Sequence, residues 1–156
     1  MRRYESAITD NEKIKEIILS CHCCRLGFCD NNKVYIVPLH FGYRETENSR
    51  IFYFHGAKEG KKVELIKKNR YAGFELDTNY QIHEAETACY FSARYQSVIG
   101  SGAIAIIEDS EEKKEALQSI MEHNSDRDDW IFSQGMLDTV CVFKLIVEEM
   151  TYKDHA

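Results

Sequence analysis

The chain has 156 residues, 44% hydrophobic and 29% charged, with one proline and a net charge of −6. That length fits a single domain, residues 1–156, burying about 70% of its unfolded surface, and the acidic balance argues against nucleic acid or an anionic membrane as partner. The opening MRRYESAITDNEKI lacks the apolar run of a signal peptide. The longest stretch without a charged side chain, Tyr95–Ile107, has 13 residues and is too short to span a bilayer, so a cytoplasmic protein is expected.

Thr9-Asp10-Asn11-Glu12 has the form of a capping box, and Ile14, Ile17, Ile18 and Cys21 then recur at helical spacing, which predicts an amphipathic helix over 10–21. Arg25–Cys29 reads as a short strand, Asp30-Asn31-Asn32 as a turn, and VYIVPLHFGYR (34–44) as a second strand. Pro38 lacks an N–H, so that strand needs a bulge or a locally unpaired edge there. Polar ETENSR (45–50) leads into a third strand, IFYFHGA (51–57), followed by a helix over 57–69 and a strand over 71–78. NYQIHEAETACYF is mixed and fits a long hairpin connection.

Residues 94–108 carry the densest β-branched content and predict one long strand. A helix over 110–124 follows, with Ala116, Leu117, Ile120 and Met121 on its apolar side. DRDDWIFSQGMLDT holds a short surface helix, and the last strand spans 140–152, with Val140, Val142, Lys144 and Ile146 on one face. Strands in near-meander order with helices between them predict a mostly β, α+β chain folded as an antiparallel barrel with peripheral helices.

Six cysteines are present, four of them (Cys21, Cys23, Cys24, Cys29) within CHCCRLGFC. A structural zinc site needs a second pair at matching spacing, which Cys89 and Cys141 do not form. Reduced thiols packed as small hydrophobes account better for the cluster, and no metal ligand is assigned.

Three patterns resemble phosphate sites. Gly56-Ala-Lys-Glu-Gly60-Lys61-Lys62 is one residue short of a P-loop and has lysine where magnesium needs a hydroxyl. Gly100-Ser-Gly102-Ala-Ile-Ala105 matches a dinucleotide fingerprint but runs on as strand instead of opening a helix, so its glycines more plausibly relieve crowding at a barrel bend. The third is the lysine group itself. On a helix from Ala57, Lys58, Lys61 and Lys62 share a face, and residues 58–70 hold six basic against two acidic side chains. Cations are disfavoured at a helix N-terminus. Either these lysines line a solvated face, or they converge with free N–H groups on an anion, with Gly56 and Gly60 admitting it to the backbone.

CRLGF, YIVPLHFGY, FYFHGAKEGKKVELIKKN and ETACYFSARYQSVIGSG, in this order and spacing, resemble the pyridoxamine 5′-phosphate oxidase-like FMN-binding split barrels, in the branch containing nitroimidazole-resistance flavoproteins. The resemblance implies a six-stranded Greek-key barrel that forms a homodimer with FMN between the subunits. It implies that Lys58, Gly60, Lys61 and Lys62 meet the FMN phosphate, and that His55 and Ala57 lie beside the ribityl chain and ring. Val37, Pro38 and Leu39 would present backbone to the isoalloxazine edge, while Tyr95 and Ser97 would reach the phosphate or ribityl region. Oxidases of this family often pair arginine with lysine at the phosphate; lysine alone lacks the bidentate fork. Residues for recognising pyridoxamine phosphate are not found.

The implied function is an FMN-dependent oxidoreductase that reduces a small, flat, electron-poor compound. The flavin would carry the chemistry, and no side chain is assigned as catalytic, although the resemblance places His40 and His55 near the ring, where they could donate a proton. Two alternatives stay open: a non-catalytic flavin binder or redox sensor using the Cys21–Cys24 cluster, and a haem-binding split barrel with His40, His55 or His83 as axial ligand.

Overall fold

The computed structural model describes residues 5–7 and 10–155. In chain order it has β1 (Glu5–Ala7), α1 (Asn11–Leu19), β2 (Cys24–Asp30), β3 (Lys33–Leu39), β4 (Gly42–Glu45) and β5 (Arg50–Gly56). There follow α2 (Lys61–Asn69), β6 (Tyr71–His83), β7 (Ser92–Ile106), α3 (Ser110–Asn124), α4 (Gln134–Asp138) and β8 (Cys141–His155). One antiparallel sheet runs β3-β2-β6-β7-β8-β5-β4, and β1 pairs with β8 off that path. The mostly β, α+β split barrel is therefore as expected, but with eight strands among the described residues, seven of them on the path, where six were expected.

Part of the difference comes from the predicted strand 34–44, which is two strands. β3 pairs with β2 at one sheet edge and β4 pairs with β5 at the other, so the open sheet's two edges are joined only by His40 and Phe41. Phe41 explains the break. Its side chain is fully buried, its ring lies 5.7 Å from Phe52, and its carbonyl accepts from Asn124 Nδ2 of α3 at 3.2 Å. The chain turns inward there, and α3 fills the gap against β4, close enough that a Cβ on Gly42 would lie 2.6 Å from the Ile120 nitrogen. Pro38 stands opposite Arg25 in an edge strand, where proline is tolerated.

Other boundaries moved for local reasons. Asp10 is the N-cap of α1 but makes no side-chain cap; its carboxylate accepts instead from the Tyr152 hydroxyl at 3.1 Å, and Thr9 lies outside the described residues. The segment read as a connection continues β6 as far as His83, past a register shift between Thr78 and Gln81 where Asn79 has φ 56°. Gly100 and Gly102 lie within β7 at a register shift against β8, and a Cβ on Gly102 would strike the Ile146 carbonyl.

Two apolar clusters hold the fold. The barrel core joins Ile14, Ile17 and Ile18 of α1 to Leu26, Phe28, Phe41, Phe52, Phe54, Phe74 and Phe143, with ring pairs such as Phe52–Phe74 at 4.9 Å and Phe54–Phe143 at 5.2 Å. The second packs Ala116, Leu117 and Ile120 of α3 and Leu137 of α4 on Tyr53, Ile107 and Val142. β5 and β8 serve both, because alternate residues point to opposite faces: Phe52, Phe54, Phe143 and Leu145 face the barrel, Tyr53 and Val142 face α3. Lys144, on that second face, pairs with Glu112 of α3.

Candidate functional site

β5 ends at His55 and Gly56, held opposite Val142 and Cys141 of β8. The chain then leaves the sheet through residues 57–60, and α2 begins at Lys61. The helix predicted from Ala57 therefore starts four residues late. Gly60 causes this: its φ of 135° is a conformation that side chains rarely adopt and is not helical. No side chain caps α2, and no atom lies within 4 Å of where a Gly60 Cβ would stand. The first N–H groups of α2 thus have no side-chain cap, an arrangement suited to an anion.

With the helix shortened, the three lysines separate. Lys62 folds back over the end of β5: its Nζ lies 6.0 Å from the Phe143 ring centroid and would be 2.5 Å from a Cβ on Gly56. Lys61 reaches to the β2–β3 turn, where it pairs with Asp30 at 3.0 Å and stands 5.0 Å over the Tyr35 ring. Lys58, outside the helix, lines a different cleft with Lys67 and Lys113.

His55 sits beside Lys62. Desolvation first, then the positive potentials of His40 and Lys62, lower its pKa, so the imidazole is neutral at pH 7. His40 also acts on His123, whose ring lies 4.3 Å from that of Phe41 at a 37° tilt and whose Nε2 is 2.7 Å from the Cys21 carbonyl oxygen. The β3–β4 break and the end of β5 therefore share one histidine-rich corner. His83 is away from it, paired with Ser92 at the far end of β6.

Val37 and Leu39 of β3 turn toward the barrel core and Pro38 turns outward, on a strand whose other edge has no partner strand among the described residues. Ala57 is exposed in the turn. Tyr95 and Ser97 lie elsewhere, opposite His155 and Lys153, and Lys153 Nζ stands 5.6 Å over the Tyr95 ring. Ser97 is nine residues along β7 from Ile106, which pairs with the Phe143 under Lys62. At about 3.3 Å per residue that is about 30 Å of strand. One copy of the chain does not bring Tyr95 and Ser97 to Lys61 and Lys62.

The cysteine cluster is partly interior. Cys21 and Cys24 are buried; burial pushes Cys21 up to about 12 and Cys24 well above the usual thiol range, and Cys21 donates to the Ile17 carbonyl at 3.2 Å. Protonated, buried thiols are poor nucleophiles and poor metal ligands.

Several charged groups escaped the sequence reading. Arg25 forks between Glu75 (2.9 Å) and Asp77 (2.8 Å) on the outer face of the sheet. Burial, a hydrogen bond with Asp77 and its charge push the Glu75 carboxyl up to about 7 against the pull of Arg25. Those partners lie 50 and 52 residues apart in sequence, and no local pattern joins them. Lys67 was within the basic count over 58–70, but nothing in the sequence tied it to Lys113.

A profile described as pyridoxamine 5′-phosphate oxidase matches residues 10–153. A solved protein from Bacteroides thetaiotaomicron, named for 5-nitroimidazole antibiotic resistance, is 31% identical, with a TM-score of 0.80 over 95% of this chain and 86% of its own. A flavocytochrome from Azotobacter vinelandii shares the fold at 19% identity and TM-score 0.77, over 96% of this chain and 69% of its own. An FAD- and haem-binding protein from Mycobacterium smegmatis does so at 12% identity and TM-score 0.78, over 98% of this chain and 74% of its own. No curated protein sequence matches the chain. With the profile covering nearly its whole length, the chain belongs to the pyridoxamine 5′-phosphate oxidase family.

Proposed function

We propose that this protein is an FMN-dependent oxidoreductase that works as a homodimer and reduces small, flat, electron-poor compounds such as nitroimidazoles. The observation that carries this is the strand-to-helix turn after β5. An uncapped helix start, an open Gly60 and two lysines in the first turn, with a neutral His55 alongside, fit a phosphate joined to a flat ring. The 31%-identical protein named for 5-nitroimidazole resistance supports the substrate class.

In this reading Lys61, Lys62 and the N–H groups beyond Gly60 hold the phosphate, with Asp30 the present partner of Lys61. The backbone of Val37, Pro38 and Leu39 borders the ring, and His55 and Ala57 border the ribityl chain. Bound FMN supplies hydride or electron transfer to the acceptor. Tyr95 and Ser97 belong to the same cleft only if a second copy supplies them, which the separation along β7 requires. A homodimer also gives a use to Val34, Ile36 and Ile99, exposed apolar side chains on the outer sheet face.

The deciding experiment is a spectrum of protein mixed with FMN or FAD and desalted, followed by anaerobic reoxidation of the reduced flavin with a nitroimidazole. Retained FMN with acceptor-dependent reoxidation supports the proposal. Retained flavin without it leaves a flavin store or sensor, and a bare protein spectrum removes the flavin reading altogether. The proximity of His40 to His55 favours haem as the second reading; an intense Soret band after haem addition, with no flavin retained, would establish it.

A further inference from the structure

The cleft that Lys58 lines adjoins the turn described above but includes neither Lys61 nor Lys62. It is enclosed by Val63 and Lys67 of α2, Ile106, Ile107 and Glu108 at the end of β7, Lys113 of α3, and Val140, Cys141 and Val142 entering β8. Its volume is about 200 Å³, below the roughly 300–1,000 Å³ of sites for drug-sized ligands. A flavin ring needs more room than this.

Its chemistry is divided by depth. Val63, Ile107, Cys141 and Val142 are buried and make an apolar floor. Lys58, Lys67 and Lys113 share the lining with one carboxylate, Glu108, which leaves an excess of two positive charges in a chain of net charge −6. Lys113 is steadied by a bond from its Nζ to the Leu137 carbonyl at 3.1 Å. Lys58 and Lys67 have no ion-pair partner among the described residues, and neither does Glu108. Burial raises the pKa of the Cys141 thiol; Lys113, Lys62 and Lys67 pull it back, and Glu108 adds to the rise. Three cations from three segments around one apolar pit make a place where an anion is electrostatically favoured.

We propose that this cleft is a second binding site, for a small organic anion with one phosphate or carboxylate head and a short apolar body. The head meets Lys58, Lys67 and Lys113, and the body rests on Val63, Ile107 and Val142. The site does not depend on the flavin proposal: Lys61 and Lys62, which carry that proposal, do not line the cleft, and Lys58 is the one lining residue that the sequence reading gave to FMN.

The test is titration of the isotopically labelled full chain with phenyl phosphate, with and without FMN, followed by backbone amide resonances. Saturable shifts at Ile107, Glu108, Lys113 and Cys141 are expected in both cases. Lys67→Glu combined with Lys113→Gln should weaken binding roughly tenfold or more and leave FMN retention as it was. Glu108→Gln removes the one carboxylate and should tighten binding, which keeps the idea testable if the double variant does not fold. Absence of saturable shifts up to about 10 mM, or equal affinity in all variants, overturns the proposal. Displacement of phenyl phosphate by FMN also overturns it, by making the cleft part of the flavin site.

Discussion

Lys61 and Lys62 are adjacent in sequence and differ in what holds them: one has a carboxylate and a tyrosine ring, the other a glycine and a phenylalanine ring. Replacing both by alanine is expected to weaken FMN binding at least tenfold, at about 1.5–3 kcal/mol for each charge-assisted contact, as read by fluorescence titration. Unchanged affinity would remove phosphate binding from this pair. Glu75 makes a different prediction. Its folded carboxyl titrates near 7 against 4.5 for an ordinary glutamate, so between those values the folded state holds the proton that the unfolded state has released. Stability from this group is then lost as pH rises from about 4.5 to 7. Glu75→Gln should melt with a flatter pH profile over that window, and identical slopes for variant and parent would contradict the shift. Residue identity alone exposed the lysines and His55, because a basic run after an aromatic strand is a local pattern. The Arg25–Glu75–Asp77 fork was illegible for the opposite reason: strand pairing alone brings its members together.

Among the elements, α2 has its start and stop set by backbone conformation more than by side-chain periodicity. Gly60 ends the strand exit at φ 135°, and Arg70 closes the helix in the left-handed region at φ 55°. A non-glycine residue there costs about 1 kcal/mol, so Arg70→Gly should raise the melting temperature by a few degrees. The close contact of α3 with β4 gives the reverse case. Gly42→Ala puts a methyl against Ser119 and Ile120, with an expected loss of about 1–3 kcal/mol in chemical denaturation; a neutral result would mean that α3 is free to shift. Hydrophobic spacing was enough to locate α1, α3 and the strand cores, where one face must be buried. It failed at residues 34–44, because a run of β-formers does not reveal that one of them, Phe41, leaves the sheet for the core.

For the molecule as a whole, the long β6–β7–β8 ribbon separates Tyr95 and Ser97 from the lysine turn, so the proposed flavin site includes them only in the proposed homodimer. Ile36→Lys with Ile99→Lys puts charge on two exposed apolar positions of the outer face, 63% and 52% accessible in the single chain. The expected outcome is a monomer by light scattering that retains its fold by circular dichroism and has lost FMN. A folded monomer that keeps FMN would show that one copy is sufficient. Among the described residues no helix is long and apolar enough to cross a membrane, which agrees with the 13-residue limit read from the sequence.

The sequence by itself determined the class of fold, the family and the local run of chemistry after β5, because each depends on short-range spacing and on motifs in a fixed order. Only the tertiary structure decided that the second predicted strand serves both edges of the sheet, that Lys58 joins Lys67 and Lys113 rather than its neighbours, and that Tyr95 and Ser97 lie far along β7 from the lysine turn. The reason is physical. Local periodicity dictates which face of an element is buried, whereas strand register and helix start points dictate which distant side chains meet.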